Sequence, residues 1–422
     1  MRSRFPTTVV VFAAAGALAL AGCSSSGGGS KGGKTGLNTG GATTPAAPSS
    51  SSGGGLGAGN GGSTSYTLGF IGALSGANAQ LGINEKQGAQ LAIDQANASG
   101  KYKFKLTLDS QDSEGDPAKA PAAATALTSN SKVLGVIGPA FSGESLAVNK
   151  SFCNATPPMP IITASASNAT LQQQGWKCWH RIIANDNVEG AQGADWLART
   201  GAKKVFVLND LSAYGKGVAD TMSAELKKKG VAVVTQGADG TTTKNYGPIA
   251  QQIVSSGADA MFYGGYDAQA ALLAQALQSA GFKGRAVSGN GALDTTFTKN
   301  AGPAGYNWYF TCGCQDSSKA PESKAFVAAY KKAYKQDPGT YSPEAYDAAN
   351  VFITVINGIV SSGGTVDRTS ILDGLSKVDY KGITAEIKFL SNGEVNASNL
   401  KVNLFQDQKG TDVGLGDINT LN

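Results

Sequence analysis

The sequence predicts an α/β protein built from two domains with parallel sheets. From residue 66 onwards, short apolar runs alternate with longer stretches whose apolar residues recur every three or four positions. This alternation is typical of right-handed β-α-β units, in which helices connect parallel strands. The region is too long for one compact hydrophobic core and long enough for two. We therefore expect two cores, each built around its own sheet.

Eight apolar runs have the length expected of buried strands. They are residues 67–74, 103–110, 133–139, 160–163, 204–210, 232–237, 259–265 and 285–290. Amphipathic helices are predicted between them. In residues 84–100, for example, Ala89, Ala92, Ile93 and Ala96 recur at helical spacing.

Residues 1–22 read as an export signal. Two arginines precede an apolar run from Val9 to Ala21, which is short for a membrane span, and small residues lead to Cys23. The run LALAGC resembles a bacterial lipobox, in which the signal is removed before the cysteine and the cysteine receives a lipid. An ordinary secretory signal is the alternative. We expect a signal peptide over residues 1–22 and a lipid at Cys23, on the extracytoplasmic face of the membrane.

Residues 23–65 are predicted to form a flexible linker. They are almost all small or polar, and they cannot bury enough surface to offset the entropy cost of ordering. Residues 28–35, GGSKGGKT, match a phosphate-binding pattern. No strand precedes them and no helix follows, so we predict no nucleotide site there.

Charge and histidine content argue against two function classes. The formal net charge is +5, but four of the positive residues lie in the first 65 positions, where no acid occurs. The folded body is thus close to neutral and lacks the positive surface that nucleic-acid binding needs. The single histidine, His180, lies in the strand-like run CWHRII, where a packed histidine is expected, and the folded region contains no G-x-S-x-G pattern. We predict no enzymatic activity and no cofactor.

Four cysteines lie in the folded body, and in an exported protein they allow two disulfides with three possible connectivities. Cys153 ends a helical stretch and Cys178 opens the next extended stretch, so the two can lie side by side. Cys312 and Cys314 are separated by Gly313 alone, and glycine makes such a small ring less strained. We favour the pairs Cys153–Cys178 and Cys312–Cys314. A metal site is disfavoured because there is one histidine and no recurring ligand spacing.

Ligands of parallel sheets bind beyond the carboxyl ends of the strands. The residues that follow the predicted strands include Ser75, Ser142, Ser165, Ser167, Asp210, Tyr214, Tyr266 and Asp267. Hydroxyls dominate in the first half of the chain and tyrosines in the second. We expect one face of a cleft to bind a polar, anion-like group and the other to pack a small organic body. Any single serine could equally be a helix N-cap.

Five motifs in order resemble those of one family. They are GFIGALSGANAQLG, VIGPAFSGES, PIITASASN, NDLSAYGKG and FYGGYDAQA. They are similar to the leucine/isoleucine/valine-binding protein family, the type I substrate-binding proteins of ABC transporters. The match extends from about Thr67 to the final strand KVNLFQDQ, nearly the whole folded body. Each motif alone is weak, and their order and spacing together are specific.

The resemblance implies two doubly wound parallel-sheet lobes that are joined by a three-strand hinge and close on a ligand. The strand crossings are expected near Ile183, Gly291 and Leu400. The first lobe would comprise residues 66–183 and 292–399, and the second lobe residues 184–291 and 400–422.

The resemblance also implies roles for individual residues. In the family, the ligand carboxylate is held at positions that are occupied here by Ser142, Ser165 and Ser167. The second lobe contributes aromatic walls at positions occupied here by Tyr214 and Tyr246, and Tyr266 is expected to pack nearby. Those near the side-chain pocket are Leu81, Ala140 and Phe141, although family members often carry an aromatic residue where Leu81 stands.

Two positions depart from the family pattern. Members that bind α-amino acids commonly have acids at the positions of Gln269 and Asn290, and both residues are amides here. An amide carries no charge and favours a neutral polar group over an ammonium. We therefore expect a small carboxylate or amide-bearing ligand to bind at least as well as leucine or valine. Asp267 would replace the missing acids if its side chain turned inward.

The expected function is that of a monomeric, lipid-anchored substrate-binding protein. It would capture a small molecule and deliver it to the permease and ATPase subunits of an ABC transporter. An extracellular ligand sensor on the same fold, signalling to a membrane partner, is the alternative.

Overall fold

The computed structural model describes residues 64–421. The predicted signal peptide, Cys23 and nearly all of the predicted linker lie outside the described residues. The linker's last two positions, 64 and 65, belong to the first strand. Within residues 64–421, no helix is both long and apolar enough to cross a membrane.

The first sheet contains five parallel strands in the order β2-β1-β3-β4-β5. These are β1 (Thr64–Gly72), β2 (Phe104–Asp112), β3 (Val133–Ile137), β4 (Ile161–Thr163) and β5 (Trp179–Arg181). The helices between them are α1 (Ala79–Ala98), α2 (Ala120–Ser129) and α3 (Ser142–Asn154). From β1 the chain first adds β2 on one side of the sheet and then β3 on the other, so the strand order reverses between β1 and β3. Ligand crevices of parallel sheets form beyond the carboxyl ends of the two strands at such a point. We call this sheet and the helices on it the first lobe.

The second sheet contains seven strands in the order β14-β13-β10-β9-β8-β6-β7. The chain reaches it through α4 (Asp186–Arg199), β6 (Lys204–Asn209), α5 (Ala213–Lys228), β7 (Ala232–Gly237), α6 (Gly247–Ser255), β8 (Ala260–Gly264), α7 (Asp267–Ala280), β9 (Arg285–Ser288), α8 (Thr295–Ala301) and β10 (Tyr309–Cys312). Strands β6 to β10 are parallel, and the last two strands of the chain are antiparallel. This sheet and its helices form the second lobe.

The chain then returns to the first lobe before its final two strands. It forms α9 (Lys324–Tyr334), α10 (Ser342–Ser361), α11 (Arg368–Leu375), β11 (Tyr380–Lys381) and β12 (Glu386–Ile387), and it ends in β13 (Asn403–Asp407) and β14 (Asp412–Asp417) of the second lobe. The chain thus passes between the two sheets three times. The predicted fold class, two doubly wound α/β lobes with a three-strand hinge, is confirmed.

The second crossing lies later than the sequence suggested. A crossing near Gly291 would place residues 309–312 in the first lobe, whereas β10 pairs with β9 and β13 of the second sheet. Phe310 is fully buried there, and its ring centroid lies 5.1 Å from that of Phe297. The apolar run that ends at Cys312 therefore completes the second core, and the chain crosses only after it.

Both predicted disulfides are present. Cys153 pairs with Cys178 and joins the end of α3 to the residue directly before β5. Cys312 pairs with Cys314, directly where the chain leaves the second sheet.

His180 has the packing role expected from the sequence. It is 5 % exposed, its ring lies 4.5 Å from that of Phe389, and its Nδ1 is 3.2 Å from the Ile161 carbonyl oxygen. Burial lowers the pKa of His180 to about 4. The ring is therefore neutral at physiological pH and serves as part of the first core.

Candidate ligand-binding site

A small cavity lies between the lobes, at the carboxyl ends of both sheets. Its volume is about 20 Å³. Eight of the predicted ligand-binding residues line it: Leu81, Ala140, Phe141, Ser142, Ser165, Tyr214, Tyr266 and Asn290. Glu85, Gly291 and Tyr341 also line it. Larger grooves of about 650 and 730 Å³ occur elsewhere on the described residues, and neither is lined by a predicted ligand-binding residue.

The first lobe contributes a polar wall. Ser142 is the first residue of α3, directly after the turn that follows β3, and its hydroxyl oxygen accepts the Asn168 N–H at 3.1 Å. The Ser165 hydroxyl donates to the Ala140 carbonyl oxygen at 2.6 Å. The N-terminus of a helix and adjacent hydroxyls form an environment that favours an anionic or strongly accepting group, such as a carboxylate.

The second lobe contributes an aromatic wall. The Tyr266 ring lies 5.4 Å from the Tyr214 ring and 5.2 Å from the Phe141 ring of the first lobe, between centroids. The Tyr214 hydroxyl accepts the Gly291 N–H at 3.0 Å, which holds this ring in place. The row of three rings provides apolar surface against which the body of a small organic ligand can pack.

The lobes are closed on each other. Asn168 Nδ2 of the first lobe donates to the Ala213 carbonyl oxygen of the second at 2.5 Å. Asn84 Nδ2 likewise donates to Asp294 Oδ2 at 2.9 Å. A cavity of about 20 Å³ has room for about one water molecule. An amino-acid-sized ligand therefore requires the lobes, or the rings between them, to move apart.

Three predicted site residues lie away from the cavity. Ser167 is 1 % exposed, and its hydroxyl lies beside the buried Asp186. Tyr246 is 2 % exposed and packs in the core of the second lobe. Gln269 Nε2 donates to the Gly240 carbonyl oxygen at 2.9 Å. None of these three residues lines the cavity between the closed lobes.

The two amides that suggested a missing acid have partners of their own. Asn290 lines the cavity, but its Nδ2 donates to the buried carboxylate of Glu189, whose other oxygen accepts the Asn290 N–H at 3.2 Å. Burial raises the pKa of Glu189 to about 7, and hydrogen bonds from Thr311 and Asn290 oppose the rise.

Asp267 is fully buried, does not line the cavity, and accepts the Ala268 N–H at 2.6 Å. The side chain of Asp267 therefore does not replace the missing acids.

Sequence reasoning missed Glu85 and Tyr341. Glu85 lies four residues after Leu81 on α1, and on a helix this spacing places both side chains on one face. That spacing is a signal which the sequence contains. Tyr341 has a positive φ of 65° directly before α10, a conformation uncommon for a residue other than glycine, and no local pattern marks it.

Gly264, the first glycine of the run YGGY, makes room for the protein's own backbone. A Cβ on Gly264 would lie 2.3 Å from the Gly215 carbonyl oxygen. The end of β8 can therefore approach the start of α5, and Tyr214 and Tyr266 come together.

No group of histidine, cysteine, aspartate or glutamate residues within positions 64–421 is arranged to hold a metal ion.

Comparisons with known proteins agree with this architecture. The sequence matches the periplasmic binding protein family over residues 65–408. It is 28% identical over 353 residues to Leu/Ile/Val-binding protein homolog 3 of Brucella melitensis, covering 83% of this chain and 93% of that protein. It is 29% identical over 331 residues to the Leu/Ile/Val-binding protein BraC3 of Rhizobium johnstonii, covering 78% of this chain and 87% of that protein.

A solved structure shares the fold. The branched-chain amino acid transporter substrate binding protein LivJ from Streptococcus pneumoniae, in complex with isoleucine, superimposes with a TM-score of 0.75 and is 25% identical. The match covers 84% of this chain and all of that chain. The family that the sequence matches is one of solute-binding, non-enzymatic proteins. With the family match spanning both lobes and the cavity between them, the chain belongs to the periplasmic binding protein family, in its leucine/isoleucine/valine-binding branch.

Proposed function

We propose that this protein is an extracytoplasmic solute-binding lipoprotein. It captures a small amino-acid-like, carboxylate or amide ligand between its lobes and delivers it to an ABC transporter permease. The observation that carries the proposal is the cavity where the carboxyl ends of both sheets meet, with a helix N-terminus and serines on one side and tyrosines on the other. The relatives named for leucine, isoleucine and valine binding support the ligand class.

The proposed anchor is a lipid at Cys23, with residues 23–63 as the linker and residues 1–22 as the signal. A monomer on such a linker can present its cleft to a permease in any orientation. Fractionation of cells tests the anchor: the protein should be found with the membrane, and a Cys23→Ala chain should be released from it. Membrane retention of that variant would contradict lipid anchoring.

A thermal-shift screen tests the function directly. Mature protein is screened against amino acids, short carboxylic acids, amides and aromatic acids. A true ligand at 100 times its dissociation constant should raise the free energy of unfolding by about 2.7 kcal/mol, because it binds the folded state alone. The radius of gyration from small-angle scattering should be smaller with that ligand than without it, because the ligand shifts the population in solution from open lobes towards lobes that close on it. A panel without any shift would contradict the proposed ligand class.

The two serines after β4 provide a matched pair of variants. Ser165 lines the cavity, whereas Ser167 is buried beside Asp186. We expect Ser165→Ala to weaken binding of a carboxylate ligand about tenfold to a hundredfold, because a hydrogen bond to a charged group is lost. Ser167→Ala should leave affinity nearly unchanged. Calorimetry that gave equal losses for both variants would contradict this division of roles.

A further inference from the structure

The described residues that line the cavity include one acid, Glu85. Glu85 is 1 % exposed and lines the cavity, and its Oε2 atom is buried without a hydrogen-bond partner in the described residues. Leaving a buried carboxylate oxygen unpaired is costly, so such atoms usually meet a ligand, an ion or a water. Glu85 also lines the cavity in which a ligand would bind.

Two other buried acids, Glu144 and Glu189, accept hydrogen bonds from protein groups. Glu144 accepts the Phe141 N–H at 3.2 Å and also the Ser113 hydroxyl. Glu189 accepts hydrogen bonds from Asn290 and Thr311. Neither Glu144 nor Glu189 lines the cavity. Within residues 64–421, Glu85 is therefore the cavity's acidic group.

Among residues 64–421, no positively charged residue lines the cavity beside Glu85. The residues that line the cavity include neither lysine nor arginine. The buried guanidinium of Arg181 pairs with Glu394 and with two backbone carbonyls, so it is already engaged. Burial is the main cause that raises the pKa of Glu85 to about 8; the Ser165 hydroxyl lowers it, and the charges of Glu144 and Glu344 raise it. Glu85 lacks the positive partner that would stabilise its carboxylate.

We propose that Glu85 determines ligand specificity by receiving a cationic group of the ligand. The inference rests on the proposed solute-binding function and narrows its ligand class to molecules that carry an ammonium or similar cation. Glu85 lines the same cavity as Ser165 and as Ser142, the first residue of α3. The adjacent amino and carboxyl groups of an α-amino acid match that arrangement. The amides at Gln269 and Asn290 therefore do not exclude an ammonium, because the counter-charge comes from α1.

Paired probes test this assignment. The dissociation constant is measured by calorimetry for L-leucine and 4-methylpentanoate, which share a carbon skeleton and differ in the amino group, and for other amino acids with their des-amino acids. The wild-type protein should prefer the amino acid of a pair. Glu85→Gln should weaken the binding of that amino acid at least about thirtyfold, as expected when one partner of a desolvated charge pair is removed. Its effect on the des-amino acid should be much smaller.

Asp267→Asn is the matched control. Asp267 is also a buried acid whose pKa burial raises to about 8, but it does not line the cavity. This variant should keep the wild-type preference. Circular dichroism and thermal unfolding establish that each variant is folded, and the wild-type preference within each pair requires no variant at all.

The outcomes separate this inference from the proposed function. If des-amino acids bind as well as amino acids, or if Glu85→Gln keeps the wild-type preference, solute binding stands and the role of Glu85 is refuted. If no probe of either series binds, both are refuted. Loss of the preference in Asp267→Asn, but not in Glu85→Gln, would assign the cation to Asp267 and overturn the inference.

Discussion

Replacing Arg181 with methionine should lower the free energy of unfolding by about 3–5 kcal/mol, because the change leaves an unpaired charge buried. Arg181 is fully buried in β5, and its Nε donates to Glu394 Oε2 at 3.1 Å, while Nη2 donates to the other carboxylate oxygen. Its Nη1 donates to the carbonyl oxygens of Ala166 and Asn168 at 3.0 and 2.9 Å. The guanidinium therefore joins β5, the segment after β4 and the chain beyond β12. Chemical denaturation measures the loss as a lower midpoint.

Two controls distinguish the buried pair from a general effect of lost charge. Methionine at Lys216 removes a cation from an exposed pair with Asp220, and it should change the free energy of unfolding little. Methionine at both Arg181 and Glu394 should recover much of the lost stability, because no unpaired charge is left buried. A loss below about 1 kcal/mol for Arg181→Met would show that the pair is dispensable. Ligand affinity should fall as well, since Ser165 lies in the segment that Arg181 holds.

Replacing Gly88 with alanine should destabilise the first lobe by about 3 kcal/mol, at the upper end of the usual cost of overpacking. Gly88 lies on α1 where α10 crosses it, and a Cβ there would lie 2.0 Å from the Ser342 carbonyl oxygen. A backbone atom cannot turn aside as a side chain can, so the helices must separate. The same change should weaken ligand binding, because α1 carries Leu81 and Glu85.

Gly358→Ala is the matched control for Gly88→Ala. Gly358 is exposed within α10, and a Cβ there would have nothing within 4 Å. Alanine at this position should raise the free energy of unfolding by about 0.5–1 kcal/mol, because glycine loses more conformational freedom in a helix. Equal effects of the two variants, measured by thermal unfolding, would contradict the close helix contact.

Local patterns predicted most of the fold. The apolar run at 133–139 corresponds to β3 within two residues, and all five residues of that strand are buried, as expected of a strand covered on both faces. The run at 232–237 coincides with β7, an edge strand in which no residue is fully buried. The pairing of Cys153 with Cys178 followed from their places at the ends of neighbouring elements. The second crossing was misplaced because a short run such as YFTC can complete either sheet, and only its packing against Phe297 decides which.

The sequence by itself determined which polar and aromatic residues follow the strands. Because the carboxyl ends of parallel strands share one edge of a sheet, these residues were expected at that edge. Only the tertiary structure decided which of those side chains reach the cavity. Ser165 and Ser167 lie two residues apart in one loop, yet the first borders the cavity and the second lies beside Asp186. Glu85 belongs to a helix, and its role depends on how α1 packs against α10 and how the lobes close. Such contacts join residues far apart in the chain. The spacing of Leu81 and Glu85 places both side chains on one face of a helix, but it does not show what that face meets.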